Sequence, residues 1–147
     1  MKKIISVFAM LFLLTLLSAC KMEHMDMGCG DPACSMPSDV ITTKSSKVFD
    51  QAVLKKLSDA VYLASQSSSC QRGDQWGIAG IGAKPCGGPA GYIAYKKENA
   101  ECFLKVLDCY NKQAQEYNRK YAIGSDCMVE PAPKSVVCEE GKPVLVY

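Results

Sequence analysis

The sequence predicts a small α+β domain in which two amphipathic helices pack with a small antiparallel sheet and disulfides staple the elements together. Three observations lead to this prediction. Two stretches carry apolar residues at helical spacing, several short stretches alternate as strands do, and the 147-residue chain contains nine cysteines. We divide the chain into a signal peptide over 1–19, a flexible tether over 20–45 and the domain over 46–147.

The first twenty residues have the form of an export signal. Lys2 and Lys3 precede an apolar run over 4–17, which is short for a membrane span and typical of a signal-peptide core. The run ends in Leu17-Ser18-Ala19-Cys20, which resembles the lipobox of bacterial lipoproteins. The simpler interpretation is an ordinary secretory signal that is cleaved near Ala19.

The lipobox resemblance implies an anchor and a location. It implies cleavage before Cys20, attachment of diacylglycerol to the Cys20 thiol, and acylation of the new amino terminus with a fatty acid such as palmitate. Several acyl chains together hold a protein on a membrane stably. Because Lys21 rather than Asp follows Cys20, the resemblance implies the outer membrane, with the domain facing the periplasm.

The eight remaining cysteines predict disulfides, because an even number in an exported chain is typical of an oxidised framework. Each bond would contribute roughly 2–4 kcal/mol to a core of modest size.

The charge balance excludes one class of partner. Removing Lys2 and Lys3 from the 17 basic residues leaves 15, against 15 acidic ones. A neutral chain gives no reason to expect nucleic-acid binding.

The tether over 20–45 is poor in large aliphatic residues and rich in Met, Gly, Pro, Ser and Asp, as linkers are. It also contains soft and imidazole ligands, which suit Cu(I). A disulfide between Cys29 and Cys34 would remove two of them, and one histidine is too few for a standard zinc site. We therefore expect no cofactor, with copper binding as an alternative through Met22, His24, Met25, Met27, Cys29, Cys34 and Met36.

The first helix is predicted over 46–66. Ser45 or Ser46 can cap it, and Asp50 falls in the first turn, where the helix dipole favours a negative charge. Apolar residues recur every three or four positions, so we expect them to form the core-facing stripe: Val48, Phe49, Ala52, Val53, Leu57, Ala60, Val61 and Ala64.

A strand is predicted over 75–83, with Trp76 in the core, and 92–95 resumes an extended pattern. Between them, Pro and Gly preset a compact loop. One interpretation is a loop whose shape is fixed by a disulfide at Cys86. The other is a rigid surface loop that a partner recognises, with candidate residues Lys84, Pro85, Gly87, Gly88, Pro89 and Tyr92.

The second helix is predicted over 97–123, with Asn99 as a candidate cap and Gly124 as its C′ residue. Cys102 and Cys109 lie seven residues apart, about 10 Å along the axis, so they cannot pair with each other. Each needs an outside partner or stays reduced. The row of Tyr110, Tyr117 and Tyr121 is interpreted as core, with a ligand groove as the alternative.

The C-terminal residues predict a hairpin of two short strands around a Glu-Gly turn, which could pair with the 75–83 strand. Four cysteines near these elements allow three connectivities, and the sequence does not choose among them. Our working assignment is Cys70–Cys86 with Cys127–Cys138.

Several motifs of residues 70–147 together resemble a family of small, uncharacterised bacterial envelope proteins. They are Trp76, the run 84–89, Tyr92-Ile93-Ala94-Tyr95, Tyr117-Asn118, Ser125-Asp126-Cys127 and Gly141-Lys142-Pro143-Val144. The resemblance implies an exported α+β module and no particular activity. The cysteines at 29, 34, 102 and 109 depart from the family pattern, which implies that they pair among themselves.

We do not expect an enzyme. The predicted domain has no histidine to activate a nucleophile, and its glycines are not followed by the Lys-Ser/Thr of a phosphate loop. The sequence favours a non-catalytic binding or structural module of the periplasm, attached to the membrane and facing an unknown protein partner. The alternatives are copper binding by the tether and inhibition of a protease or wall hydrolase through the 84–91 loop. Lys84 suits a trypsin-like pocket there, although Pro85 follows it.

Overall fold

The computed structural model describes residues 40–125 and 127–147, and these form an α+β fold. Its two α-helices are α1, Lys47–Ser65, and α2, Ala100–Lys120. Its strands are β1, Trp76–Ile81, and β2, Gly91–Lys96, followed by β3, Ser135–Glu139, and β4, Lys142–Val146. Short 3-10 turns over Gly73–Gln75 and Lys97–Asn99 precede β1 and α2. The predicted fold class is confirmed.

Helix α1 begins as the sequence predicts, because the Ser46 side chain accepts a hydrogen bond from the Phe49 amide at 3.2 Å. Its buried face differs from the predicted stripe in the first turn. Val48 is 77% exposed and Phe49 is also exposed, whereas Asp50 is fully buried. Asp50 faces inward because Lys120 and Tyr121, at the C-terminal end of α2, donate hydrogen bonds to its carboxylate. Ala52, also predicted in the stripe, is exposed, whereas Val53, Leu57 and Val61 are buried as predicted.

Helix α2 is shorter than the predicted range, and its caps differ. Asn99 makes no side-chain capping bond. At the other end Ala122, not Gly124, adopts the left-handed conformation, with φ 47°. The Ile123 amide then donates to the Asn118 carbonyl at 3.0 Å, which is the bond of a Schellman motif.

The strands form two separate antiparallel hairpins. β1 pairs with β2 in a register that sets Trp76 opposite Lys96, and β3 pairs with β4. The Glu-Gly turn between β3 and β4 is confirmed, with positive φ at both Glu140 and Gly141. The predicted pairing of this hairpin with the first strand is wrong, because both hairpins remain two-stranded.

The β1–β2 hairpin is the middle layer, since its two faces pack against different elements. One face presents Ile81 and Ile93 to α1 and α2, where Tyr95 stacks on Phe103 with ring centroids 5.0 Å apart. The opposite face presents Trp76 and Ala94 to the second hairpin and Cys70. Burial of Trp76 is thereby confirmed. A third cluster lies between the helices and includes Ile41, Val53, Leu57 and Cys109.

Two disulfides join distant parts of the chain, Cys70–Cys138 and Cys86–Cys127. The working assignment of Cys70–Cys86 and Cys127–Cys138 is wrong. Cys70 lies beneath the second hairpin, where its amide also donates to the Gly141 carbonyl at 2.8 Å. Cys86 instead lies in the loop between β1 and β2. Cys102 and Cys109 are disulfide-bonded as well.

Candidate functional site: the β1–β2 loop

The loop over 82–90 begins against two asparagines of α2, Asn111 and Asn118, which lie seven residues apart on one helical face. The Gly82 amide donates to Asn111 Oδ1 at 2.7 Å, and Asn111 Nδ2 donates to the Gly80 carbonyl at 3.0 Å. Asn118 Nδ2 donates to the Ala83 carbonyl at 2.6 Å. These side chains hold the start of the loop to the helix.

The loop also bonds to itself. The Gly87 amide donates to the Lys84 carbonyl, and the Lys84 amide donates to the Gly88 carbonyl, both at 2.9 Å. Gly87 and Gly88 have φ of 97° and 81°, which an L side chain rarely adopts. No atom lies within 4 Å of a Cβ built at either residue. These two glycines are therefore required by backbone shape and not by lack of space.

Two contacts tie the loop to the segment that follows α2. The Cys86–Cys127 disulfide is the first. The second is Lys84, whose ammonium donates to the Met128 carbonyl at 2.7 Å and lies 3.6 Å from the Glu130 carboxylate. Only 18% of the Lys84 side chain is exposed. The loop therefore has fixed contacts at its start, in its centre and along one side.

The surface of the loop is formed by its exposed backbone and by the neighbouring apolar residues. Pro85, Cys86, Gly87 and Gly88 are exposed, and Val129, which lies in the chain between the two residues that Lys84 contacts, is 91% exposed. Pro89 is half-buried, and its ring lies over Gly80, where an added Cβ would come within 2.9 Å. Tyr92 does not belong to this surface.

Tyr92 instead lines a cleft of about 500 Å³, a feature that the sequence did not predict. The cleft lies between the end of α1, β2 and the turn of the second hairpin. In the serine run at the end of α1, the hydroxyls of Ser65 and Ser67 donate to the helix carbonyls of Tyr62 and Ala64. The residues that line the cleft include Tyr62, Gln66, Ser68, Ser69, Tyr92 and Lys142.

A buried polar cluster joins the helices. Asp50 Oδ2 accepts from Lys120 Nζ at 2.6 Å and from the Tyr121 hydroxyl at 2.8 Å. Burial raises the pKa of Asp50, but hydrogen bonds from Lys120, Ser45 and Tyr121 outweigh this effect, so the pKa lies below 3.8. The carboxylate is fully buried and therefore acts as a structural clamp. The tyrosine row confirms the core interpretation in part, since Tyr110 and Tyr117 pack against buried residues.

Within residues 40–125 and 127–147, no group of three or more His, Cys, Asp or Glu residues could hold a metal ion. No helix in the same ranges is long and apolar enough to cross a membrane. The predicted lipid-attachment residue, Cys20, and the predicted copper ligands all lie outside the described residues: Met22, His24, Met25, Met27, Cys29, Cys34 and Met36.

No protein family, curated protein or solved structure matches this chain. Its function is therefore inferred from its own residues.

Proposed function

We propose that the protein is a lipid-anchored envelope protein, attached through Cys20 to the outer membrane, and that it is a non-catalytic binding module of the periplasm. The proposed binding element is the 84–91 loop. The observation that carries this proposal is the number of independent contacts that hold the loop in one shape. They are the bonds from Asn111 and Asn118, the Cys86–Cys127 disulfide and the contacts of Lys84.

Rigidity matters because an interface loses free energy when it orders a loop or a side chain on binding. A loop that is already held in its bound shape avoids most of this loss. Its exposed tip contains Pro85, Gly87 and Gly88, and the segment that Lys84 contacts contributes Val129, an apolar residue with 91% of its surface exposed. A preset backbone beside an exposed apolar residue suits recognition of another protein surface.

The disulfides support the proposed compartment. Every cysteine within the described ranges is disulfide-bonded. Disulfides persist in oxidising compartments such as the periplasm and are rare where thiols are kept reduced. The lipobox at 17–20 supplies the anchor in this proposal, and Lys21 supports the outer membrane.

The inhibitor alternative receives less support from the geometry. A substrate-like lysine must extend into the pocket of the protease, whereas the Lys84 ammonium is bound to the Met128 carbonyl and lies near Glu130. An inhibitor would have to break these contacts on binding. The ligands of the copper alternative, within 22–36 of the tether, lie outside the described residues.

The loop can be tested by site-specific photo-crosslinking in intact cells that make the full, anchored protein. A benzophenone side chain replaces exposed Pro85 in one variant and exposed Lys112 of α2 in the control. We expect a discrete adduct from position 85 and none from position 112. Adding Cys86→Ser and Cys127→Ser should weaken the adduct, because the loop loses one of the contacts that fix its shape. Identical patterns from both positions, or no adduct from position 85, would contradict the proposal.

A further inference from the structure

The cleft between the end of α1, β2 and the turn of the second hairpin is a concave surface separate from the 84–91 loop. Its volume of about 500 Å³ lies within the range of small-molecule sites. None of the residues that line the cleft belongs to the loop. A ligand of the cleft would therefore be additional to the partner proposed for the loop.

The walls of the cleft are fixed relative to one another. The serine run leads from α1 to Cys70, which forms a disulfide with Cys138 and whose amide donates to the Gly141 carbonyl at 2.8 Å. Ser69 Oγ lies so close to the hairpin turn that a Cβ built on Gly141 would be 3.4 Å from it. A ligand therefore meets a preformed site, and little of the protein has to become ordered when it binds.

The lining offers hydrogen-bonding groups that bond to no other residue within 40–125 and 127–147. They are the hydroxyls of Tyr62, Tyr92, Ser68 and Ser69 and the side-chain amide of Gln66. Hydroxyl and amide side chains both donate and accept hydrogen bonds. A ligand with many hydroxyl groups has the same double capacity and can satisfy such a lining.

Two tyrosine rings supply the apolar part of the site. Tyr62 is 49% exposed and lines both the cleft and a smaller pocket of about 300 Å³. Tyr92 is half-buried on the β2 side. A ring with a polar tip suits a ligand that has C–H faces and hydroxyl edges, as a pyranose ring has. A peptide is instead recognised by main-chain pairing at a strand edge and by pockets for its side chains.

The charges near the cleft indicate the sign of the ligand. Within the described residues, Lys142 is the one charged residue that lines the cleft, and it makes no ion pair there. Asp59 lines only the smaller pocket and pairs with Lys55. Tyr62 and Gln66 line both spaces and so separate the two charges. A ligand in the cleft is therefore favoured by a negative charge.

We propose that the cleft binds a short acidic saccharide. A carboxylate of the ligand lies at Lys142, its pyranose rings lie on Tyr62 and Tyr92, and its hydroxyls bond to Gln66 and the serine run. Lys142 is exposed, so the charge pair contributes only part of the affinity, because water screens surface charges. The tyrosine rings and the hydrogen bonds contribute the rest.

Backbone amide NMR of the full protein in lauryldimethylamine oxide micelles, a detergent without sugar, tests the proposal. The probes are the trisaccharide of glucuronic acid and cellotriose, which has hydroxymethyl groups in place of the carboxylates. We expect both to shift the amides of Ser68, Tyr92 and Lys142, and the acid to bind about two- to fivefold more tightly. The proposal is overturned if these amides do not shift or if the two probes bind equally.

Two substitutions separate the charge from the rings. Lys142→Gln should lower the affinity for triglucuronate to that for cellotriose and leave the affinity for cellotriose unchanged. Tyr62→Ala, an exposed change outside the core, should weaken both probes by about three- to tenfold. Lys134→Gln is the matched control, because Lys134 is exposed and does not line the cleft. An equal loss in Lys134→Gln and Lys142→Gln would remove the assigned role of Lys142 and with it the proposal.

Two further probes distinguish the source of the ligand and its class. The disaccharide of N-acetylglucosamine and N-acetylmuramic acid carries its carboxylate on a lactyl group, as in cell-wall glycan. Tighter binding of this disaccharide than of triglucuronate assigns the site to wall glycan, and the reverse order assigns it to a uronic-acid polysaccharide. Tetraglutamate presents carboxylates on a peptide. If it binds as tightly as the acidic saccharides, the site recognises peptides and the proposal is wrong.

Discussion

Asp50 is the residue whose role differs most from its predicted one. The sequence placed it in the first turn of α1 as a favourable charge near the helix dipole. The structure buries it completely between α1 and α2, where Lys120 and Tyr121 contact one carboxylate oxygen. The sequence could not predict this because both partners lie about seventy residues away. The clamp joins the start of one helix to the end of the other.

We expect Asp50→Asn to lower the free energy of unfolding by about 3 kcal/mol, because removing one member of a buried pair leaves the other uncompensated. The matched control is Asp59→Asn on the same helix. Asp59 forms an exposed ion pair with Lys55, so its loss should cost less than about 0.5 kcal/mol. Urea unfolding at pH 7 with the disulfides intact measures both. Equal losses would show that the buried clamp contributes no more than a surface pair.

The clamp also predicts how stability depends on pH. The pKa of Asp50 is lower in the folded protein than its ordinary 3.8, so its contribution is present above that value and is lost as pH falls through the folded pKa. The pKa of Lys120 is raised above 10.5: burial lowers it, but the bonds to Asp50 and Tyr121 outweigh burial. Its contribution is therefore present below 10.5 and is lost as pH rises through the folded pKa. Unfolding measured from pH 7 to pH 3 should show a smaller loss of stability in Asp50→Asn than in the wild type. A larger loss in the variant would contradict the assigned pKa direction.

Ala122 holds a left-handed conformation at the end of α2, which costs an L residue roughly 1–2 kcal/mol. Ala122→Gly should therefore raise the free energy of unfolding by about 0.5–1 kcal/mol, part of the gain being offset by the greater freedom of glycine in the unfolded chain. Ala52→Gly, at an exposed position inside α1, should lower it by about 1 kcal/mol. Thermal or urea unfolding measures whether the two substitutions change the free energy of unfolding in opposite directions. A destabilised Ala122→Gly would contradict the C-terminal geometry.

At the scale of elements, the β1–β2 hairpin organises the molecule because it contacts helices on one face and the second hairpin on the other. Trp76 and Ile78 alternate along β1 with Ala79 and Ile81, so the strand has an apolar residue on each face. Strand pairing was harder to predict. An apolar strand does not show whether its neighbour will hydrogen-bond to its edge or pack on its face, and the second hairpin packs on the face.

The loop of this hairpin depends on Asn111, whose side chain both accepts from Gly82 and donates to Gly80. Asn111→Ala should lower the free energy of unfolding by about 1–2 kcal/mol, because it leaves a partly buried amide unpaired. Hydrogen exchange of the Gly82 amide should become faster. Gln115→Ala, exposed on the same helix, should leave that exchange unchanged. If the Gly82 amide exchanged as slowly in Asn111→Ala as in the wild type, the loop would be held without this side chain.

At the scale of the whole molecule, disulfides join segments that lie far apart in the sequence. Cysteine count and the lipobox predicted an oxidised domain, and the structure confirms the disulfides. Which cysteines pair could not be predicted, because pairing depends on how elements far apart in the sequence pack together. Cys70 meets Cys138 only because the second hairpin covers the Trp76 face.

The Cys70–Cys138 bond closes the longer of the two described loops, with a sequence separation of 68 against 41 for Cys86–Cys127. Because loop-closure entropy grows only with the logarithm of length, each bond should contribute about 4 kcal/mol. Cys70 is buried, whereas Cys86 and Cys127 are exposed. The double variant Cys70→Ala/Cys138→Ala should therefore lose more than Cys86→Ala/Cys127→Ala, since it also leaves unfilled space in the core. Urea unfolding that ranks the two in the reverse order would contradict this account.

The central claim is a lipid-anchored domain built on disulfides. The most direct test is the intact mass of the protein purified from membranes, measured with and without reduction and alkylation. We expect a chain that begins at Cys20 with its acyl groups attached, in which alkylating reagent reacts with no cysteine before reduction and with eight after it. A chain with an unmodified amino terminus and eight thiols that react before reduction would contradict the claim.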